Sequence, residues 1–182
     1  KISWTSGTIY EMYRQDYSIN KLSPQTNSTS LYNTNFYVMN SDFRVYECIY
    51  NGASPSNSGA GVISLEEPTH TDLQPRLESD GYIWKYLYTI KPSDIIKFDS
   101  ADYIPVPSEW LTSTDTADVR NAAVDGKIET VVIEDVANAS YQFNGTKNNV
   151  PIRGDGSDAL ASVTFINGKP SAVQVTNGGS GY

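Results

Sequence analysis

Cysteine, histidine and positive charge are the scarce materials of this chain, and each scarcity removes chemistry. Cys48 is the single cysteine, so no internal disulfide can form and no thiolate zinc cluster can be assembled. It lies in an alternating run from Phe43 to Tyr50, where a free cysteine reads as a small buried hydrophobe. His70 is the single histidine. Its setting, Glu66-Glu67-Pro68-Thr69-His70-Thr71-Asp72, places a base near carboxylates, but a polar loop bracketed by proline accounts for it without catalysis. Thirteen basic residues against 21 acidic give a net charge of -8, which repels phosphate backbones and anionic membrane surfaces. Neither nucleic acid nor a membrane is expected as partner. No window holds the roughly eighteen apolar residues a spanning helix needs, and the first residues carry no signal-like apolar run. The chain starts at Lys1 and stops at Gly181-Tyr182 in mid-motif, so it reads as a fragment of something longer.

Aromatic residues are abundant: 13 tyrosines, three tryptophans and five phenylalanines in 182 residues. They concentrate in Ser79 to Ile90, Ser-Asp-Gly-Tyr-Ile-Trp-Lys-Tyr-Leu-Tyr-Thr-Ile. With a period of two this stretch puts Tyr82, Trp84, Tyr86, Tyr88 and Ile90 on one face of a strand. Asp80-Gly81 launches it and Pro92 ends it. A second strand, Phe43 to Tyr50, carries apolar residues on both faces and is expected inside a sheet covered on both sides. Val45, Cys48, Tyr82, Trp84, Tyr86 and Tyr88 are therefore the expected structural core. Asn51 to Gly61 and Glu67 to Glu78 read as long loops of the kind that make contacts. Beyond Ile90, Pro92 to Phe98 has the signal for one or two helical turns, and Tyr103-Ile104-Pro105-Val106-Pro107 is extended because each proline restricts its predecessor.

Composition changes at Thr112 to Asp118, and the domain boundary is placed there: a β-sandwich-like domain with long loops over residues 1–112 and a smaller β-hairpin-repeat domain over 113–182. The class is all-β. In the second part Asp125-Gly126-Lys127, Val131, Ile133 and Ser140-Tyr141 are echoed about 42 residues later by Asn167-Gly168-Lys169, Val173, Val175 and Gly181-Tyr182. Each copy opens on the two-residue hairpin signal. Ala161, Val163 and Phe165 are expected to pair with Val173 and Val175, and Val119 to Val124 is read as a strand. Gly154-Asp155-Gly156-Ser157-Asp158 lacks the ligand spacing of a calcium loop and reads as a turn.

The series Tyr10 to Tyr17, Phe43-Arg44-Val45-Tyr46-Glu47-Cys48-Ile49-Tyr50, a Pro/Ser loop, Asp80-Gly81-Tyr82-Ile83-Trp84-Lys85-Tyr86-Leu87-Tyr88 and Tyr103-Ile104-Pro105-Val106-Pro107 resembles the baseplate wedge subunit of T-even-like contractile-tailed phages. The resemblance spans Tyr10 to Pro107. The part from Asp118 onward lies outside it and looks like glycine-rich repeats of phage structural proteins. What the resemblance implies is a non-enzymatic structural protein of β-sandwich domains, a homodimer bound to other baseplate wedge proteins, assembled in the host cytoplasm and carried in the virion. No catalytic, cofactor or metal site is expected. The rival from another class is a carbohydrate- or receptor-binding module in which the aromatic stripe, Trp84 above all, stacks on sugars. A glycosidase needs only two acids at a set separation, and no pair stands out.

Overall fold

The computed structural model describes residues Lys1 to Tyr182. They form mostly strands in two antiparallel sheets, with few and short helices. No helix is long and apolar enough to cross a membrane. Two compact units are present: Lys1–Gly52 with Val62–Ala123, and Ala53–Gly61 with Val124–Tyr182.

The first unit is organised on a four-stranded sheet of order β1-β2-β4-β3, with β1 at Tyr37–Met39, β2 at Arg44–Tyr50, β3 at Arg76–Leu77 and β4 at Ile83–Thr89. The two sequence runs richest in alternating apolar residues, β2 and β4, are its neighbouring central strands. In β2, Val45, Tyr46, Cys48 and Ile49 are all buried, the signature of a strand covered on both faces. The outer edge of β1 is occupied: the Met39 amide donates to Ile2 O and the Trp4 amide to Met39 O, each at 2.8 Å. β3, expected as loop, is a two-residue edge strand joined to β4 through Asp80-Gly81, where the Glu78 amide donates to Tyr82 O.

The expected single aromatic face of β4 is split by bulges. Val45 lies opposite Tyr88 and Tyr46 opposite Tyr86, which leaves Leu87 without an opposite residue; on β2 the same holds for Ile49, between Cys48↔Trp84 and Tyr50↔Ile83. One extra residue interrupts the period-two alternation that sequence reading assumes. Tyr88 and Ile90 consequently join Met39 and Val45 in one cluster. Tyr86 is only half-buried, its ring edge-on to Tyr46 at 5.9 Å. Trp84 sits apart from both, stacked on Tyr82 at 5.4 Å and edge-on to Tyr10 at 5.7 Å.

After β4, Pro92–Phe98 forms α1, as its N-terminal proline and following polar residues predict. Val119 to Val124 is not a strand: Ala117–Asn121 is a short helix, α2, preceded by a 3-10 turn at Thr114–Thr116. The side chains explain the difference. Ser113 Oγ accepts from the Asp115 amide, and both Thr116 Oγ1 and Arg120 donate to Trp110 O, at 2.8 and 2.6 Å. Those local bonds close helical turns, which a Thr/Ser/Asp run favours at a cap.

The second unit holds a three-stranded sheet of order β5-β6-β7, with β5 at Gly145–Pro151, β6 at Leu160–Ile166 and β7 at Lys169–Asn177. Ala161 pairs with Val175 and Val163 with Val173, around an Asn167-Gly168 turn in which both residues have positive φ, 52° and 71°. That is the backbone a two-residue hairpin with the twist of its strands requires. The earlier copy forms no such hairpin: Val124 to Asn144 contains no strand. Its turn serves the other copy instead. Asp125 O and Gly126 O accept from the Gly181 and Tyr182 amides, while the Tyr141 amide donates to Gly168 O. Each turn thus meets the tyrosine that ends the opposite repeat.

That reciprocity makes the turn glycines steric. A Cβ on Gly168 would stand 2.4 Å from Tyr141 O and one on Gly126 would stand 2.5 Å from Tyr182 N, in addition to the strain of positive φ. Gly59 shares a positive φ but meets nothing within 4 Å. Gly168→Ala is expected to destabilise the second unit by about 3 kcal/mol, against about 1 for Gly59→Ala. Hydrogen exchange of the β6 and β7 amides checks the first value; equal protection in both variants would remove the steric account.

Candidate functional site

The residues expected to be core are placed inside the first unit. Val45, Cys48, Tyr82, Trp84 and Tyr88 are buried and Tyr86 is half-buried. Tyr82 OH donates to Val62 O at 2.6 Å and accepts from the Tyr10 amide at 3.1 Å, so even its polar tip is used. Burial pushes the Tyr82 phenol and the Cys48 thiol well above their ordinary pKa values, which leaves Cys48 without the thiolate that reactivity needs. Trp84 and Tyr82 are 0 % exposed, and no sugar can stack on a ring face already covered by protein.

Two acidic residues are used to shape loops. Glu11, which no sequence signal singled out, is wholly buried. Its Oε1 accepts from the amides of Gln25 and Thr26 and from Thr26 Oγ1, and its Oε2 accepts from the Asn35 amide at 2.7 Å. One carboxylate therefore ties the middle of the Asn20 to Asn35 loop to its end. Asp80 does the same for the segment after Val62: Oδ2 accepts from Ser64 Oγ and the Leu65 and Glu66 amides, and Oδ1 from the Tyr82 amide. Partial burial alone would raise the Asp80 pKa, but those donors outweigh it and hold it below the usual carboxylate range.

His70, expected on a polar loop, is buried under Arg44 and Tyr46: the Arg44 guanidinium donates to Thr69 O, Tyr46 OH donates to His70 O at 2.6 Å, and the two rings meet edge-on at 5.4 Å. Its Nδ1 accepts from the Asp72 amide at 3.3 Å, which leaves the proton on Nε2, an atom with no hydrogen-bond partner. Burial lowers its pKa below the ordinary 6.5, against the pull of Asp72. A buried imidazole that resists protonation folds best neutral, because the unfolded chain binds the extra proton first. Stability is therefore complete above about pH 6.5 and falls as the pH drops through the lowered folded value, with Asp80 adding its own loss only below about pH 4. Urea midpoints recorded from pH 7 to pH 5 should decline in the parent chain and stay flatter in His70→Gln; parallel slopes would show that His70 is not the titrating group.

A concavity lies elsewhere in the first unit, where the expected helical turns of Pro92 to Phe98 meet the extended Tyr103 to Pro107 run. A cavity of about 480 Å³ opens between the end of β4, α1 and the segment from Pro105 to Asp115. Its floor includes Tyr88, whose OH donates to Pro105 O at 3.2 Å and whose ring meets Trp110 edge-on at 6.1 Å. Phe98 and Val106 line it while remaining largely exposed. Three carboxylates, Asp94, Glu109 and Asp115, face one ammonium, Lys91, which is bonded to Asp115 at 2.5 Å. That hydrogen bond raises the Lys91 pKa. Glu109 accepts from Thr112 Oγ1 at 2.9 Å.

Comparison with protein-family models, with curated proteins and with solved structures finds no match. The chemistry of the site must therefore be read from its own residues. No group of three or more histidine, cysteine, aspartate or glutamate side chains stands close enough to hold a metal ion. The lone histidine is sealed against Tyr46, away from the residues that line the cavity. What the cavity offers is a mixed lining of apolar side chains, hydroxyls and an excess of carboxylates, an arrangement that binds by shape and charge.

Proposed function

We propose that this chain is a structural component of a contractile-tail baseplate wedge, acting by binding other proteins during assembly. The observation that carries this reading is the display of large apolar side chains on the surface of the first unit. Tyr32, on the loop pinned by Glu11, is 94 % exposed and Ile19, in the turn before that loop, 81 %, and Ile96 on α1, Tyr103 and Leu111 are similarly open. Apolar surface held in place and left in water is what a protein-protein contact consumes. The resemblance over Tyr10 to Pro107, with Asp80-Gly81-Tyr82-Ile83-Trp84-Lys85-Tyr86 as its distinctive core, points to the same reading. To this reading belong the homodimer, the β-sandwich arrangement, the contacts with other wedge proteins and a place in the virion.

Sedimentation velocity of the purified chain, alone and mixed with the products of the genes beside its own, tests it. A dimer alone and a larger complex in the mixture are expected. A strict monomer that binds none of those products would sink the proposal.

A further inference from the structure

We infer that the cavity between β4, α1 and the Pro105–Asp115 segment is the docking site for an extended segment of another protein that carries both basic and apolar side chains. This deepens the assembly reading and rests on it. The charge argument is local. Three carboxylates, Asp94, Glu109 and Asp115, line the cavity against one ammonium, Lys91, which bonds Asp115 and is also drawn by Asp94, so the lining carries two more negative than positive groups. The lining also includes Pro105-Val106-Pro107, where two of three residues lack a backbone N–H. The lining also offers the hydroxyls of Thr89, Ser108, Thr112, Ser113 and Thr114 as donors, so it is the excess of negative charge that selects a guest with positive charge.

The apolar argument sets the size of the guest. Phe98 and Val106, both in the cavity lining, are 62 % and 69 % exposed, and Ile96 on α1 and Leu111 beyond the lining are also open to water. A small cation would satisfy the carboxylates and leave that surface wet. A chain segment with a leucine or phenylalanine between basic residues covers both, because successive side chains of an extended strand alternate in direction. An acidic or phosphate-bearing guest is repelled by the same excess of negative charge.

The test is a titration of the whole isotope-labelled chain, followed by amide chemical shifts. The probes are acetyl-Ala-Arg-Leu-Lys-Phe-Ala-amide, its Glu-for-Arg/Lys counterpart, and acetyl-arginine-amide. Saturable shifts confined to residues 88–98 and 105–115 are expected with the basic peptide only. Its apparent Kd should weaken about fivefold between 50 and 500 mM NaCl and about tenfold in an Asp94→Asn, Glu109→Gln variant. Val106→Ser, an exposed change that adds no charge, should weaken it by removing apolar surface, and the thermal melt of each variant should match the parent. Equal binding of the acidic peptide, equal binding of acetyl-arginine-amide, shifts elsewhere, or no saturable shift would each overturn the site. The two proposals separate cleanly: a chain that co-sediments with wedge proteins but ignores the basic peptide loses this site and keeps the assembly reading. Groove-confined binding in a chain that co-sediments with none keeps the site and loses that reading.

Discussion

Glu11→Ala is expected to destabilise the first unit by about 4 kcal/mol, the largest effect of any charged residue in the chain. The carboxylate is wholly buried and accepts from three backbone amides, those of Gln25, Thr26 and Asn35, together with the Thr26 hydroxyl. Alanine leaves those donors facing a void. Each buried donor without an acceptor costs about 1–3 kcal/mol, and the amides at the loop's outer side recover part of that by reaching water. Glu11→Gln keeps the shape but turns one oxygen into a donor aimed at other donors, for an expected loss of about 2 kcal/mol. Trp4, Trp84 and Trp110 all lie in the first unit, so tryptophan fluorescence in a urea titration reports on that unit alone. A Glu11→Ala midpoint equal to the parent's would show that the loop holds itself. The partial result is also informative: loss of the loop without loss of the sheet should open the backbone from Asn20 to Asn35 to proteolysis while the fluorescence transition persists.

Trp84→Ala should cost about 4 kcal/mol through the cavity it leaves. Trp84 is among the largest side chains with no exposure at all, packed on Tyr82 at an interplanar angle of 11° and against Tyr10 at 70°. Its neighbours are themselves anchored, Tyr82 by Val62 O and Tyr10 by the Thr5 amide, so little collapse into the space is open to them. The outcome also decides between the assembly reading and the sugar-binding rival. If the ring is core, the variant loses stability by urea titration and any change in ligand binding follows unfolding. A variant that folds like the parent yet loses glycan binding would overturn the burial account and revive the rival.

The parts of the fold legible in the sequence were those governed by short-range rules. Alternation marked β2 and β4, Asp80-Gly81 and Asn167-Gly168 marked turns, and Pro92 marked the start of α1. The unread parts share one cause. The bulges at Leu87 and Ile49 insert a residue without changing composition, so the aromatic stripe that reads as one face serves two. The Val119 to Val124 run looked like a strand because its apolar residues were counted without the hydrogen bonds from Thr116 and Arg120 to Trp110 O that close a helix there. Asp125-Gly126 looked like a hairpin because the turn signal is local, whereas the groups it bonds, Gly181 and Tyr182, lie far along the chain. For the site, Asp94, Glu109 and Asp115 were each visible but unremarkable, scattered through a Ser/Thr/Asp-rich region.

From its sequence alone this chain was bound to be a β-rich protein with an aromatic core and an acidic surface, because periodicity, turn residues and charge act through neighbours a few positions apart. Tertiary structure alone determined that Glu11 is an anchor, that His70 is sealed rather than free, and that three ordinary carboxylates share one groove with two prolines. Those are properties of distance in space, and a chain acquires them only when residues remote in sequence are brought to a few ångströms.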